Sequence, residues 1–529
     1  MDNSPGQLRL TIQLGPLSPN TPFSPPLRSA HVSSVFAIQP KQVQRSSPQW
    51  LRMMAVGCGL WMAAAWLTVA GAPTAGLAAD WPTHRGTLTR AGNVDGGPGP
   101  ARAEVAWVQR GVEHFIASPA TDGQSVFVSG LGAFNSATFQ ALNPQSAASS
   151  RQRWIKGPPY LKLPLASSPA IAGGLVVFGD GMHQTDGGVL HALRSDTGLP
   201  VWQYPVPGTL IHLEGGPAVV DGKVYIGGGN AGVICVDSNR LELDGKPADR
   251  VAVEADLKKR WQDMLAKYEQ EKKVDPDFAV PPSEDALPKP RPRKVWQAGA
   301  GQWHVDAPLA VAGDRVFVAS AFLDVERVGE RALLALNLAD GAVRWKTPLG
   351  LNPWAGPTVA GELVLVGGSN IRLEPRDVPQ GRGELLAVDR ASGTVKWKRE
   401  VPGGVVSSIA VAGPLAIFAA TDGKVRAWDL ATGADRWTFD GKAPYFAAPA
   451  IAGETVYVAN LSGQINALQL ATGQSQWQLD LATHPDVRAP GQVYGSPIVA
   501  GGKLFVATCN LASDGGPRAT VVVAIGPKS

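Results

Sequence analysis

Pairs of short apolar runs, separated by a Gly-containing turn, recur along most of the chain. The clearest are SSPAIAGGLVVFG, DAPLAVAGDRVFVAS, AGPTVAGELVLVGG, SSIAVAGPLAIFAA and AAPAIAGETVYVAN. Apolar residues at alternate positions indicate strands with a buried face, and Gly supplies the positive φ that a tight hairpin turn needs. The pattern therefore predicts a succession of β-hairpins.

A fixed frame of small and aromatic residues follows these hairpins. It consists of an Ala, a Gly six residues later and a Trp ten residues after the Ala. The five regular copies are Ala192/Gly198/Trp202, Ala335/Gly341/Trp345, Ala387/Gly393/Trp397, Ala427/Gly433/Trp437 and Ala467/Gly473/Trp477. We expect a third strand from the Ala, a turn at the Gly, and a fourth strand whose Trp packs against the neighbouring unit. Four antiparallel strands repeated every ~40 residues are typical of a β-propeller blade.

Less regular copies raise the number of predicted blades to eight. The last unit ends after its third strand, whereas the strand around Trp107 precedes the first unit without a partner. Pairing the two would complete the last blade and remove both free sheet edges. The predicted fold is all-β, an eight-bladed propeller of four-stranded antiparallel blades over 104–529, closed by its N-terminal strand. The tryptophans predicted to dock the blades are Trp107, Trp154, Trp202, Trp296, Trp345, Trp397, Trp437 and Trp477.

One segment, 240–293, interrupts the third blade. Its apolar residues Leu257, Trp261, Met264, Leu265 and Tyr268 share one face of a helix, and a Pro-rich extended arm follows. We expect this helical and Pro-rich insertion either to pack on the propeller or to form a partner-binding or funnel-covering element.

The N-terminal residues have a different composition. Residues 1–52 are rich in Pro and Ser without apolar periodicity and are interpreted as a disordered leader. An apolar core and a small-residue exit in 53–79 are typical of a signal peptide cut near Ala78 or Ala79; an uncleaved membrane anchor is the alternative. Residues 80–103 are expected to be extended. These features predict export to the periplasm or the cell exterior.

Composition and charge argue against several classes of protein. With 61 Gly, 44 Pro and 17% charged residues, a mainly helical protein is excluded. The net charge of +4 comes entirely from residues 1–79, so the body is neutral and nucleic-acid binding is not expected. Three cysteines, Cys58, Cys235 and Cys509, are too few for a disulfide scaffold.

The A-x-D-x-x-[ST]-G-x-x-x-W frame resembles the repeat of the pyrroloquinoline quinone (PQQ) family, and the resemblance covers roughly 110–526. That family includes quinoprotein alcohol dehydrogenases and the non-enzymatic outer-membrane assembly lipoprotein BamB. The resemblance implies an eight-bladed propeller. The family's dehydrogenases stack the quinone on a disulfide between adjacent cysteines, and no such pair occurs in this sequence. No cofactor is therefore expected, and PQQ with calcium is the alternative.

Residues just before the first strand of each blade should line one mouth of the central channel. The candidates there are His114, His212, Glu214, His304, Asp306 and Trp354. In extended backbone, residues two apart face the same way, so His212 with Glu214, and His304 with Asp306, each present an imidazole and a carboxylate together. Such pairs suit a divalent metal or a polar ligand; a solvated funnel without a ligand is the alternative. His183 and His191 are interpreted as turn and strand-surface residues.

These observations favour an exported, monomeric, non-catalytic binding or scaffold module with a protein or cell-envelope partner. The alternatives are a PQQ-dependent oxidoreductase with a non-standard site, a metal-dependent hydrolase using the His and acid pairs, and the sensor part of a membrane-anchored protein. Membrane association is expected only if the leader remains uncut.

Overall fold

The computed structural model describes residues 81–94, 97–132, 136–145, 151–183, 185–511 and 519–528. The predicted leader and signal peptide lie outside these residues. The described chain forms an eight-bladed β-propeller in which every blade is an antiparallel sheet, so the predicted fold is confirmed.

Each blade is built from strands that are consecutive in sequence, apart from the last. Blade 1 contains β2 (Ala120–Thr121), β3 (Val126–Leu131), β4 (Ala137–Leu142) and β5 (Gln152–Lys156). Blade 2 contains β6 (Ala170–Ala172), β7 (Leu175–Gly179), β8 (Gly188–Arg194) and β9 (Pro200–Val206). Blade 3 contains β10 (Ala218–Val220), β11 (Lys223–Gly227), β12 (Val233–Leu243), β13 (Lys246–Asp249) and β14 (Arg291–Ala298). Blade 4 contains β15 (Ala310–Ala312), β16 (Arg315–Leu323), β17 (Val328–Asn337) and β18 (Val343–Pro348).

The remaining blades repeat the arrangement. Blade 5 contains β19 (Thr358–Ala360), β20 (Leu363–Ser369), β21 (Gly383–Asp389) and β22 (Val395–Val401). Blade 6 contains β23 (Ala410–Ala412), β24 (Leu415–Ala419), β25 (Lys424–Asp429) and β26 (Asp435–Asp440). Blade 7 contains β27 (Ala450–Ala452), β28 (Thr455–Ala459), β29 (Gln464–Gln469) and β30 (Ser475–Asp480). Blade 8 contains β31 (Ile498–Ala500), β32 (Lys503–Ala507), β33 (Thr520–Ile525) and β1 (Val105–Gly111).

The N-terminal strand closes the ring as predicted. In blade 8 the strand order is β1-β33-β32-β31, and Trp107 pairs with Ala524. The outermost position of the last blade is therefore filled by the beginning of the propeller, which leaves no unpaired edge on β33.

The repeated tryptophans join each blade to the next. Each lies opposite the small residue of the third strand, for example Trp437 opposite Ala427, and a register shift follows directly. Each indole Nε1 donates a hydrogen bond across a blade boundary at 2.9–3.2 Å, seven of them to the following blade and that of Trp477 to the segment just before β1. The acceptors are Pro144 for Trp107, Ser195 for Trp154, Ser238 for Trp202, Leu338 for Trp296, Arg390 for Trp345, Leu430 for Trp397, Leu470 for Trp437 and Pro100 for Trp477.

The insertion in blade 3 contains a helix that packs on the side of the propeller. Helix α1 (Arg250–Val274) begins at the N-cap Asp249, and a short 3-10 helix (Glu284–Ala286) follows; a second 3-10 helix (Pro375–Gln380) lies in blade 5. Val253 and Leu257 are buried between blades 2 and 3, and Trp261 and Met264 pack against them. Leu265, which the sequence placed on this face, is exposed because the contact stripe follows 253, 257, 261 and 264.

Residues 81–94, called the inner segment below, run along the inside of the blades. Backbone carbonyls of this segment accept hydrogen bonds from the innermost strands of six blades. The donors are Thr121, Ile171, Val311, Val359, Val411 and Ile451. The inner segment is therefore bonded to the innermost strands of these six blades.

Two arginines of the inner segment are buried and bond to backbone. Arg90 donates to the carbonyl oxygens of Leu309, Gly216 and Pro217, at 2.7, 3.2 and 3.1 Å. Arg85 donates to the carbonyl of Pro449. Burial lowers the pKa of both guanidinium groups. The inner segment thus ties together connections that belong to different blades.

Candidate functional site

The connections entering blades 3 and 4 place both predicted His and acid pairs side by side. His212 and Glu214 lie between β9 and β10, and His304 and Asp306 lie between β14 and β15. Backbone bridges fix both connections, since Ile211 pairs with Asp186 and Val305 with Gly229. Arg90 bonds the carbonyls directly downstream of both pairs. The four side chains are therefore held on rigid backbone.

His183 completes a cluster that the sequence interpretation missed. One ligand atom from each of His183, His212 and His304 lies within 4.8 Å of the others. His183 belongs to the loop between the second and third strands of blade 2, whereas the other two belong to connections between blades. In an antiparallel blade those two kinds of loop emerge at the same edge, so residues distant in sequence meet there. His183 is a turn residue as predicted, but it lies within the cluster.

The carboxylates lie close to the imidazole nitrogens. Asp306 Oδ1 is 3.0 Å from His304 Nε2 and 3.5 Å from His212 Nδ1. Glu214 Oε1 is 3.3 Å from His212 Nδ1. Glu326 Oε1 is 3.2 Å from His183 Nε2 in hydrogen-bond geometry. We call His183, His212, His304, Asp306, Glu214 and Glu326 the histidine cluster.

Burial and charge compete within the histidine cluster. Burial opposes a charge on His212, but the carboxylates of Asp306 and Glu214 outweigh it and raise the pKa of this imidazole. Burial alone would raise the pKa of Asp306, yet the neighbouring His212 and His304 hold it below its usual range. The cluster therefore favours positive charge beside its carboxylates.

The other two candidates from the sequence lie outside the histidine cluster. His114 pairs with Leu131, and its Nδ1 accepts a hydrogen bond from the backbone N–H of Asn510 at 3.1 Å. Trp354 packs against a separate apolar group that includes Phe446 and Tyr494. The guanidinium of Arg372 lies 5.3 Å from the centre of the Trp354 ring, and its charge also reaches His212 and Glu326.

The interpretation of His191 as a surface residue was wrong. It lies in β8 and is buried, with its Nε2 2.7 Å from Asp180 Oδ2 and its ring stacked on Phe178. Nδ1 of His191 lies 3.1 Å from the Gln203 amide. Both ring nitrogens are therefore used inside the blade.

The repeat and the fold agree with a family model. The model described as "Outer membrane protein assembly factor BamB" matches residues 99–257, 286–378 and 377–515. The chain belongs to this family. The resemblance predicted from the Ala, Gly and Trp frame is confirmed. No curated protein sequence matches this BamB-family chain significantly.

Solved structures share the architecture of this BamB-family propeller at low identity. BamB from Moraxella catarrhalis has 14% identity and a TM-score of 0.51, over 80% of this chain and 99% of that one. The quinohemoprotein alcohol dehydrogenase from Comamonas testosteroni has 14% identity and a TM-score of 0.55, over 85% and 81%. The dehydrogenase ADHIIG from Pseudomonas putida HK5 has 13% identity and a TM-score of 0.56, over the same shares. At this identity the likeness concerns the fold alone.

Proposed function

We propose that this BamB-family propeller is a non-catalytic binding module of the cell envelope that docks a protein partner through its blade 3 insertion. The observation that carries the proposal is a run of apolar side chains in water. Val274 is 87% exposed, Phe278 82% and Val280 76%, all within seven consecutive residues. Clustered apolar exposure of this kind marks interaction sites more often than isolated surface residues do.

The insertion presents this run on a rigid base. Val253 and Leu257 anchor the start of α1 in the apolar core between blades 2 and 3. Two ion pairs fix it further: Arg194 with Glu254 at 3.2 Å, and Lys156 with Glu284. Because both ends of the insertion are held, a partner would meet a preorganised surface, which reduces the entropy lost on binding.

The family description supports a role in the cell envelope, since it names an outer membrane protein assembly factor. The predicted leader supports the same location. Among the described residues, no helix combines the length and apolar character needed to cross a membrane.

The cysteines argue against quinone chemistry. Cys235 and Cys509 are free and buried, in separate apolar groups of blades 3 and 8. Burial raises the pKa of each thiol to about 12, so neither is reactive at neutral pH. The residues present therefore do not offer the paired cysteines on which the family's dehydrogenases stack the quinone.

Site-specific photo-crosslinking in cells tests the proposed docking. A photoreactive phenylalanine analogue is placed at Phe278 in the full chain, and a discrete crosslinked adduct is expected. The matched control carries the analogue at Val343, a half-exposed position in β18 on blade 4. No adduct from position 278, or the same adducts from both positions, would contradict the proposal.

A triple substitution, Val274→Ser, Phe278→Ser and Val280→Ser, provides the second readout. These side chains are almost fully exposed, so the melting temperature should stay within about 2 °C of the parent because surface changes cost little. Co-purification of the crosslinked partner should be lost. Retained co-purification would place the docking surface elsewhere.

A further inference from the structure

We propose that His183, His212, His304 and Asp306 bind one divalent transition metal ion, with zinc as the best fit. This inference concerns a site separate from the insertion and does not depend on the proposed docking. Zinc binds imidazole nitrogens and carboxylate oxygens and prefers four ligands in a tetrahedron, so three imidazole nitrogens and one carboxylate oxygen suit it.

The distances among the donors match those of ligands around a single ion. With metal–ligand bonds of about 2.0–2.1 Å, neighbouring ligands of a tetrahedral site lie about 3.3 Å apart. Asp306 Oδ1 lies 3.0 Å from His304 Nε2 and 3.5 Å from His212 Nδ1. The contributing atoms of the three histidines all lie within 4.8 Å of one another. The donors therefore need little movement to share one ion.

The buried donors have no hydrogen-bond partners. Both ring nitrogens of His212 and of His304 are buried without one, and so is Asp306 Oδ1. The two rings are 1% and 0% exposed. Close approach without hydrogen-bond geometry is unusual for buried polar groups, which nearly always find partners. A metal ion would bond to one nitrogen of each ring and to the carboxylate at once.

The charges around the site call for a divalent cation. Asp306, Glu214 and Glu326 lie 3.0–3.5 Å from imidazole nitrogens of the cluster. The charge of Arg372 reaches His212 and Glu326. With neutral histidines, three carboxylates and one guanidinium leave two negative charges unbalanced. A divalent ion neutralises them, whereas the competing explanation requires protons on the histidines.

A glycine and a carboxylate next to the proposed ligands suit this arrangement. Gly229 has a φ of +55°, and a Cβ there would lie 2.4 Å from Leu210 O and 3.1 Å from His212 Nε2. Glu326 holds His183, the most exposed ligand, through its hydrogen bond at 3.2 Å. Metal-ligating histidines commonly have an orienting carboxylate of this kind. The ion would join loops of blades 2, 3 and 4.

Cobalt substitution and zinc calorimetry on the full metal-free chain test the site. We expect one ion per chain, intense visible bands typical of four-coordinate cobalt, and displacement of cobalt by zinc. His183→Gln changes a partly exposed loop residue and should weaken binding by more than about 100-fold, beyond the 10–100-fold typical for an orienting partner. Glu326→Gln should weaken it by about 10–100-fold. Asp306→Asn, which keeps the side-chain shape, should alter the cobalt spectrum.

His484→Gln is the matched control, because His484 lies in the loop after β30 and outside the histidine cluster. It should bind cobalt and zinc like the parent. If the parent binds neither ion, the cluster is held by protons and the proposal is overturned. It is also overturned if His183→Gln and His484→Gln bind with the same affinity, or if cobalt shows the weak bands of a six-coordinate site. None of these outcomes affects crosslinking from position 278.

Discussion

His84, in the inner segment, illustrates how a single residue links pH to stability. Its Nδ1 lies 3.3 Å from Ser168 Oγ. Burial, and then the charges of Arg90 and Arg85, lower the pKa of its ring well below the ordinary value. The folded protein therefore holds this imidazole neutral, whereas the unfolded chain protonates it near pH 6.5.

We predict that His84 makes the protein less stable in mild acid. Below about pH 6.5 the unfolded state binds a proton at His84 that the folded state does not bind. The free energy of unfolding therefore falls as pH decreases, by up to about 1.4 kcal/mol per pH unit. Urea unfolding from pH 7.5 to 5 should show a shallower decline for His84→Gln than for the parent. His484→Gln should keep the parent slope, and equal slopes for all three proteins would refute this role.

Spacing in the sequence predicted only part of the histidine cluster. The His-x-Glu and His-x-Asp pairs could be predicted from the sequence because alternate residues of extended backbone face the same way. His183 could not be assigned to the cluster in this way, since it lies in the Gly-rich loop GDGMHQTDGG, whose pattern indicates only a turn. Its position follows once that loop is assigned to the same edge of the blades as the connections between them. His114 also precedes the first strand of a blade, but Ile116 rather than an acid stands two residues after it, and it lies at a different blade boundary.

At the level of strands and turns, the repeated Gly and Trp form one contact rather than two separate features. The Gly of one blade lies under the Trp ring of the blade before it; a Cβ at Gly473 would lie 2.4 Å from the Trp437 ring. The sequence predicted the Gly from its turn, but the turn explains only the positive φ. The absence of a Cβ also leaves space for the indole ring of the preceding blade. This second requirement for glycine can be recognised only once neighbouring blades are packed together.

Removing an indole should therefore loosen a blade boundary. We expect Trp202→Ala or Trp437→Ala to lower the free energy of unfolding by ~3–5 kcal/mol, because a buried ring and its hydrogen bond are both lost. Chemical denaturation measures this loss. Unchanged stability of both variants would show that the tryptophans do not dock the blades.

A pair of glycine substitutions separates ring packing from backbone strain. Gly473→Ala places a methyl group against Trp437 and should cost about 1–3 kcal/mol more than Gly361→Ala. Gly361 also has a positive φ, +56°, but a Cβ there meets no atom within 4 Å. Denaturation curves compare the two variants. Equal losses would mean that backbone strain alone selects glycine at position 473.

For the propeller as a whole, the fold was predictable because the repeat is regular and the unpaired N-terminal strand had one sensible partner. The inner segment was predicted only to be extended. Its sequence, WPTHRGTLTRAGN, contains neither apolar alternation nor the Ala, Gly and Trp spacing of the repeat frame. Its structure comes from the blades, whose innermost strands have free N–H groups that need acceptors.

Truncation tests the contribution of the inner segment. A chain beginning at Gly97 retains Pro100, which accepts the Trp477 hydrogen bond, but it lacks residues 81–94. We expect its free energy of unfolding to be lower by about 5 kcal/mol or more than that of a chain beginning at Asp80, because six backbone donors and several buried carbonyls lose partners. Equal urea midpoints would show that the blades hold the ring without the segment.

The inner segment also has a consequence for biosynthesis. Arg85 bonds to Pro449, 364 residues further along the chain, and β1 pairs with β33 near the C-terminus. The ribosome therefore releases the N-terminal part of the propeller long before the residues that it contacts, Pro449 and β33, have been synthesised. Because contacts so distant in sequence form slowly, the ring should remain open until translation has finished. The first part of the propeller to be synthesised is then among the last to reach its final position.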